Sequence, residues 1–251
     1  MTRIAAVGDI HVGRDSVGQV APGLAHVAER ADVLLLAGDL TRCGDPEEAE
    51  LVVGELRDVQ VPIVAVLGNH DHHNDRPGEV TAVLEAGGIR VLQGAHATID
   101  IGGTVLGIAG VKGFGSGFAG AGASAFGEPA MKDFVREAQL EAAALHDALA
   151  AVAGEADRVV ALLHYSPVPD TLRGERLEIY PFLGSHLLAE AVDTVGADLV
   201  IHGHAHAGSE RGVTPGGVRV RNVAQPVIQR AYRLFDLRTP VHERLHVAAE
   251  A

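Results

Sequence analysis

The sequence has one cysteine, Cys43, and no tryptophan, and aromatic residues make up only 4% of its 251 positions. A single cysteine excludes an internal disulfide and any zinc site built from several thiolates, and it fits a reducing compartment. So few aromatic side chains leave little for the stacking platforms that hold single-stranded nucleic acid. Positive charge is also scarce. Lys and Arg number 20 against 33 Asp and Glu, a formal net charge of −13, whereas a nucleic-acid polymer calls for a basic footprint. A small phosphorylated substrate is not excluded, because bound divalent cations reverse the sign locally. No apolar run approaches the roughly 20 residues of a membrane-spanning helix. The opening MTRIAAVGDIHVG reads as a first strand rather than a signal peptide. The expectation is a soluble chain of the cytoplasm, with no nucleic-acid polymer and no membrane span among its dealings.

What the chain does have is short apolar runs, 47% hydrophobic residues in all, enough for one substantial core. Residues 3–7, 33–37, 63–67, 159–163 and 199–201 are rich in Val, Ile and Leu without alternation, the pattern of strands buried on both faces. Between them lie helical patterns over 46–58, 77–86, 129–153 and 185–195, with Asp45 as a cap and Gly87 and Gly196 at helix ends. Gly102-Gly103 and Gly216-Gly217 each separate two β-like runs, which signals hairpins, and 232–237 fits a last strand. Alternating β and α followed by antiparallel hairpins predicts a layered α/β fold with mixed sheets. No fixed repeat or linker divides the chain, so one domain over 1–240 and a tail over 241–251 are expected.

Each of five apolar runs ends in a turn that carries Asp, Asn or His. GDIH supplies Asp9 and His11, GDLTRCG supplies Asp39, GNHD supplies Asn69, His70 and Asp71, LLHY supplies His164, and GHAH supplies His204 and His206. Any one of these is ordinary turn chemistry. Together they occupy the carboxyl ends of strands, where open α/β sheets bind ligands. The set offers nitrogen and oxygen donors without thiolate, which suits Mn, Fe, Zn or similar ions. It holds more groups than one tetrahedral ion takes, so two ions are expected.

In order and identity these motifs resemble those of the calcineurin-like metallophosphoesterase superfamily, and they span residues 8 to 206. The resemblance implies a four-layer α-β-β-α sandwich with two mixed β-sheets. It implies Asp9, His11 and His206 on one metal ion, Asn69, His164 and His204 on the other, and Asp39 bridging both. His70 matches the family's general acid, and Asp71 would orient it through a hydrogen bond. The implied reaction is direct hydrolysis of a phosphoester by water activated between two cations, with His70 protonating the leaving group. A phosphodiesterase acting on a small organic phosphate or nucleotide is the favoured reading. A phosphomonoesterase, a nucleotide pyrophosphohydrolase and a non-catalytic scaffold on the same fold are the alternatives.

Other residues carry weaker signals. Arg14, Arg42 and His72 follow the motif turns and are candidates for substrate contact, although a surface ion pair explains either arginine equally well. His202 reads as a support for its neighbours rather than a third ligand. Lys112 and Arg173 sit on candidate lid loops. The glycine-rich stretch 111–127 reads as a lid or site loop, and it lacks the Lys-Ser/Thr ending of a nucleotide-binding P-loop. Phe114, Phe118, Tyr165, Tyr180 and Phe182 read as loop anchors, with a ring-binding pocket as the alternative.

Overall fold

The computed structural model describes residues 2–237; the tail expected over 241–251 lies outside them. In chain order the strands are β1 (Thr2–Val7), β2 (Val33–Ala37), β3 (Ile63–Val66), β4 (Ile89–Val91), β5 (Ala95–Ile101), β6 (Thr104–Val111), β7 (Gly117–Phe118), β8 (Ala121–Gly122), β9 (Arg158–Leu163), β10 (Leu199–His202), β11 (Arg211–Val213), β12 (Arg219–Asn222) and β13 (Arg233–Leu237). Eleven of them build a five-stranded sheet of order β13-β1-β2-β3-β4 and a six-stranded sheet of order β11-β12-β10-β9-β6-β5, while β7 and β8 pair with each other. In the first, β1 to β4 are parallel and β13 runs against them. In the second, β6, β9, β10 and β12 are parallel, while β5 and β11 are antiparallel edges. Both hairpins expected from paired glycines are present.

The unalternating apolar runs are explained by what covers them. Along β9, Val160 and Leu162 join a cluster with Leu34 and Leu36 of the first sheet. Their neighbours Val159, Ala161 and Leu163 instead join Leu145, Leu149 and Leu188 of the helices Pro129–Ala153 and His186–Val195. One face of the strand meets a sheet and the other meets helices, so no position can be polar. Each such side chain contributes about 1.5–3 kcal/mol by leaving water. The helices Pro46–Leu56 and Pro77–Ala86 pair with each other, and their Val52, Leu56, Val80 and Leu84 complete the first sheet's packing. The result is the expected order of helix, sheet, sheet, helix.

Helix ends follow local chemistry. The Asp45 carboxylate accepts the Glu47 N–H at 3.2 Å ahead of Pro46. Ser185 caps Leu187 N in the same way, so that helix starts at His186. Gly196 has the expected positive φ of 98°. Gly87 does not, with φ −81°; it is needed because a Cβ there would lie 2.4 Å from Val53.

Candidate metal centre

The ends of β1, β2 and β3 in one sheet and of β9 and β10 in the other open into one place. Beyond their strands, the β1 and β2 turns stay zipped: Asp9 N–H donates to Gly38 O at 2.9 Å and His11 N–H to Asp39 O at 3.0 Å. Hydrogen bonds also cross between the sheets. His164 Nδ1 donates to Ala37 O at 2.8 Å, and His204 N–H meets both Asp9 oxygens at 3.0 Å. Close approach is possible because glycines lie in these turns. A Cβ on Gly68 would stand 2.1 Å from Asp39 Oδ1, and one on Gly203 would stand 2.3 Å from Asp9 Oδ2. Six non-glycine described residues have positive φ, and four of them are Asp9, His11, Asp39 and His204. Each costs about 1–3 kcal/mol and persists only where the surroundings hold it.

The side chains fall into two groups that share Asp39. Donor atoms of Asp9, His11, Asp39 and His206 lie within 4.8 Å of one another, and so do those of Asp39, His164 and His204. Asn69 joins the second group, its Oδ1 2.9 Å from His164 Nε2. With the Nδ1 proton of His164 given to Ala37, Nε2 turns a lone pair toward Asn69 Oδ1 and, at 3.3 Å, toward Asp39 Oδ1. Acceptors facing acceptors call for a cation. His11 Nε2 makes the same demand: it is buried, has no hydrogen-bond partner among the described residues, and sits 3.8 Å from Asp39 Oδ2. Burial, together with the Asp39 charge, pushes the Asp9 carboxyl up to about 6, against the pull of its hydrogen bond to His206. Burial lowers His11 to about 4 and His204 to about 3, and it holds His164 well below its ordinary value. Among these imidazoles His206 alone is shifted up, by its hydrogen bond to Asp9; the three imidazoles held neutral beside buried carboxylates fit divalent ions.

His70 stands beside these groups rather than within them. Its Nδ1 donates to Arg42 O at 2.6 Å, and its Nε2 faces Asp39 Oδ2 at 4.0 Å. The expected hydrogen bond from Asp71 to His70 is corrected here. Asp71 is fully buried and accepts instead from Leu40 N, Thr41 N, Thr41 Oγ1 and Gly68 N. The two residues lie on a 3₁₀ turn, His70–His72, whose three residues per turn send neighbours roughly 120° apart. Asp71 therefore braces the β2 and β3 turns, and a backbone carbonyl orients the imidazole. Burial and the Asp39 charge push the Asp71 carboxyl up to about 6.

His202 lies outside both donor groups. It is fully buried and bonds Gly203 O and Thr171 Oγ1, each at 2.8 Å. Arg14 pairs with Glu47 and Arg42 with Asp15, all largely exposed, and Arg173 pairs with Asp170. His72 and Lys112 line a cavity that opens at Asn69. Lys112 directly follows β6 instead of lying on a lid. The glycine-rich stretch after it is stapled down, through Ser116 and Gly117 N–H to Gly184 O and Ser116 Oγ to Ser185 Oγ. The aromatic residues divide: Phe118 anchors in a small core with Leu172 and Leu183, Tyr180 bonds Leu172 O, and Phe114 and Tyr165 line the cavity. Phe182 is 59% exposed.

The calcineurin-like phosphoesterase profile matches residues 2–208. The chain belongs to that family. It is a phosphoester-hydrolysing enzyme, and the family implies a dinuclear centre of divalent metal ions. The sequence matches no curated protein. Among solved structures it is similar to the phosphopantetheinyl hydrolase of Mycobacterium tuberculosis, with 16% identity, TM-score 0.67, and 93% of this chain and 95% of that one covered. TT1561 of Thermus thermophilus is similar at 19% identity and TM-score 0.56, with 88% of each chain covered. So is GAP50, the anchor in the inner membrane complex of Plasmodium, at 13% identity and TM-score 0.56, with 90% of this phosphoesterase and 72% of that chain covered. An anchor among the likenesses shows that the fold alone does not decide the task. No helix among the described residues is long and apolar enough to cross a membrane.

Proposed function

We propose that this phosphoesterase is a two-metal phosphodiesterase acting on small organic phosphodiesters. One observation carries the reading: two donor groups share the Asp39 carboxylate, and His70 waits beside them. Asp9, His11, Asp39 and His206 would hold one ion, and Asp39, Asn69, His164 and His204 the other, with Mn, Fe or Zn suited to such donors. Bound there, the pair supplies charge neutralisation at the phosphate and a water acidified to near neutral pH. The chain's own part is to orient and to move a proton. The Arg42 carbonyl fixes the Nδ1–H of His70, so the Nε2 proton of its imidazolium is the one that passes to the departing alkoxide. Asp71 holds the turns bearing Asp39 and Asn69 in register.

A diester is favoured over a monoester because the cavity at Asn69 gives a second organic group a place beside the phosphate. The name of the Mycobacterium neighbour, a hydrolase for a phosphopantetheinyl group, supports the same preference. The test is turnover of bis(4-nitrophenyl) phosphate and 4-nitrophenyl phosphate by chain loaded with Mn, Fe or Zn. The diester is expected to show the higher kcat/KM, with activity lost in EDTA and restored by metal. Preference for the monoester would overturn the diesterase reading; activity that survives EDTA would overturn the metal centre.

A further inference from the structure

The cavity on the Asn69 side of the centre is larger than a phosphoryl group needs. About 290 Å³ of open cleft is lined by Asn69, His72, Lys112, Phe114, Glu141 and Tyr165 together with the exposed Glu137. A second space of about 250 Å³ shares His72, Lys112, Glu137 and Glu141 with it and runs on to Gln93 and Leu140. The two form one groove that leads away from the candidate ligands.

Its chemistry is specific. The Tyr165 ring lies 4.3 Å from the His204 ring and 5.8 Å from Phe114, centroid to centroid, and the residue is 7% exposed. Tyr180 satisfies its hydroxyl on the Leu172 carbonyl, whereas no described residue hydrogen-bonds the hydroxyl of Tyr165. The Tyr165 ring is buried but its oxygen reaches solvent, where it is open to whatever enters the groove. Lys112 Nζ is held by Gly113 O at 2.8 Å and Glu141 Oε1 at 3.5 Å, over the rings of Phe114 and Tyr165. Glu141 answers that charge and also accepts Gly113 N–H. Glu137, one turn earlier in the same helix, adds a second carboxylate that Lys112 does not answer. Apolar walls, a waiting hydroxyl and one surplus negative charge result.

We infer that this groove is the subsite for the organic arm of the phosphodiester, and that it selects a neutral or cationic arm over one ending in phosphate or carboxylate. The inference rests on the diesterase reading. A cationic arm gains the Glu137 carboxylate, and a neutral polar arm gains the Tyr165 hydroxyl. An anionic arm meets Glu137 with Lys112 already neutralised.

Three 4-nitrophenyl phosphodiesters with one leaving group but different second arms test it on the Mn-loaded chain: choline, phenyl, and an alkyl chain ending in carboxylate. The choline ester is expected to exceed the carboxylate ester in kcat/KM by about tenfold, mainly through KM, with the ratio shrinking as salt rises. Glu137→Lys, on an exposed helix face, should bring the ratio to about one or below. Tyr165→Phe should raise KM for the choline and phenyl esters by about three- to tenfold. Equal kcat/KM for all three esters, or a ratio unchanged by Glu137→Lys, would overturn the subsite while leaving the diesterase intact. Hydrolysis of none of the three would overturn both.

Discussion

Asp39→Asn separates two demands that fall on one position. Asp39 has φ 51°, a conformation that asparagine tolerates and alanine resists, so backbone strain would not confuse the outcome. The amide oxygen can still accept the His70 N–H, now 2.8 Å from Asp39 Oδ1. What disappears is a negative charge close to Asp9, whose carboxyl burial and that charge together raise from 3.8 to about 6. A rise of that size corresponds to about 3 kcal/mol against ionised Asp9, with burial the larger cause. Relief of the smaller part should stabilise the metal-free chain by about 1 kcal/mol, or roughly 2–4 °C in Tm for a chain of this size. With metal the sign reverses. An ion at a thousand times its Kd adds about 4 kcal/mol, so two ions should raise the wild-type midpoint by roughly 15–30 °C. Loss of the shared carboxylate should remove most of that rise and the activity with it. Scanning calorimetry in EDTA and in Mn reads both effects, which suits a chain without tryptophan. A variant less stable than wild type in EDTA would refute the buried repulsion. A full Mn-dependent rise with two bound ions would refute the bridge.

His70→Asn should lower kcat for alkoxide leaving groups by about 10²–10⁴-fold and for nitrophenolate far less, with metal content unchanged; loss of metal by elemental analysis would make His70 a ligand. His202→Ala should cost about 2–4 kcal/mol in denaturant unfolding, through the cavity and the stranded Thr171 hydroxyl, yet keep both ions; loss of an ion with stability intact would make it a ligand instead. Metal-free stability should rise with pH between about 4 and 6.5. Burial lowers His11 to about 4 and His202 and His204 to about 3, so the unfolded chain holds more protons there. Asp9 and Asp71, raised to about 6, act in the opposite sense from 3.8 upward but are outnumbered. Urea midpoints in EDTA that fall from pH 5 to pH 7 would contradict this.

The sheets and the grouping of polar residues were legible because burial on both faces forces unbroken apolar runs, and those runs end in turns. Residues 159–163 cannot carry a polar side chain, so the first one after them, His164, marks the opening of the site. Three-residue β4 was not legible, because Ile-Arg-Val between Gly88 and Leu92 is too short to show a period. The Asp71 contacts were hidden for a different reason. The resemblance implied a hydrogen bond between these two neighbours, and a 3₁₀ turn parts their side chains. The partner that His70 does use, a main-chain carbonyl, has no side-chain signature at all. The groove was partly visible, since Lys112, Phe114 and Tyr165 stood out, whereas Glu137 and Glu141 belong to no motif and reach it only because the helix Pro129–Ala153 packs there.

The candidate donor set is split between the sheets: Asp9, His11, Asp39 and Asn69 follow strands of the first, and His164, His204 and His206 follow strands of the second. The first sheet is finished by β13, the last strand among the described residues, which pairs with β1. Because the donors of both groups come together only where the sheets meet, a bound ion would stabilise the docked pair and not either sheet alone.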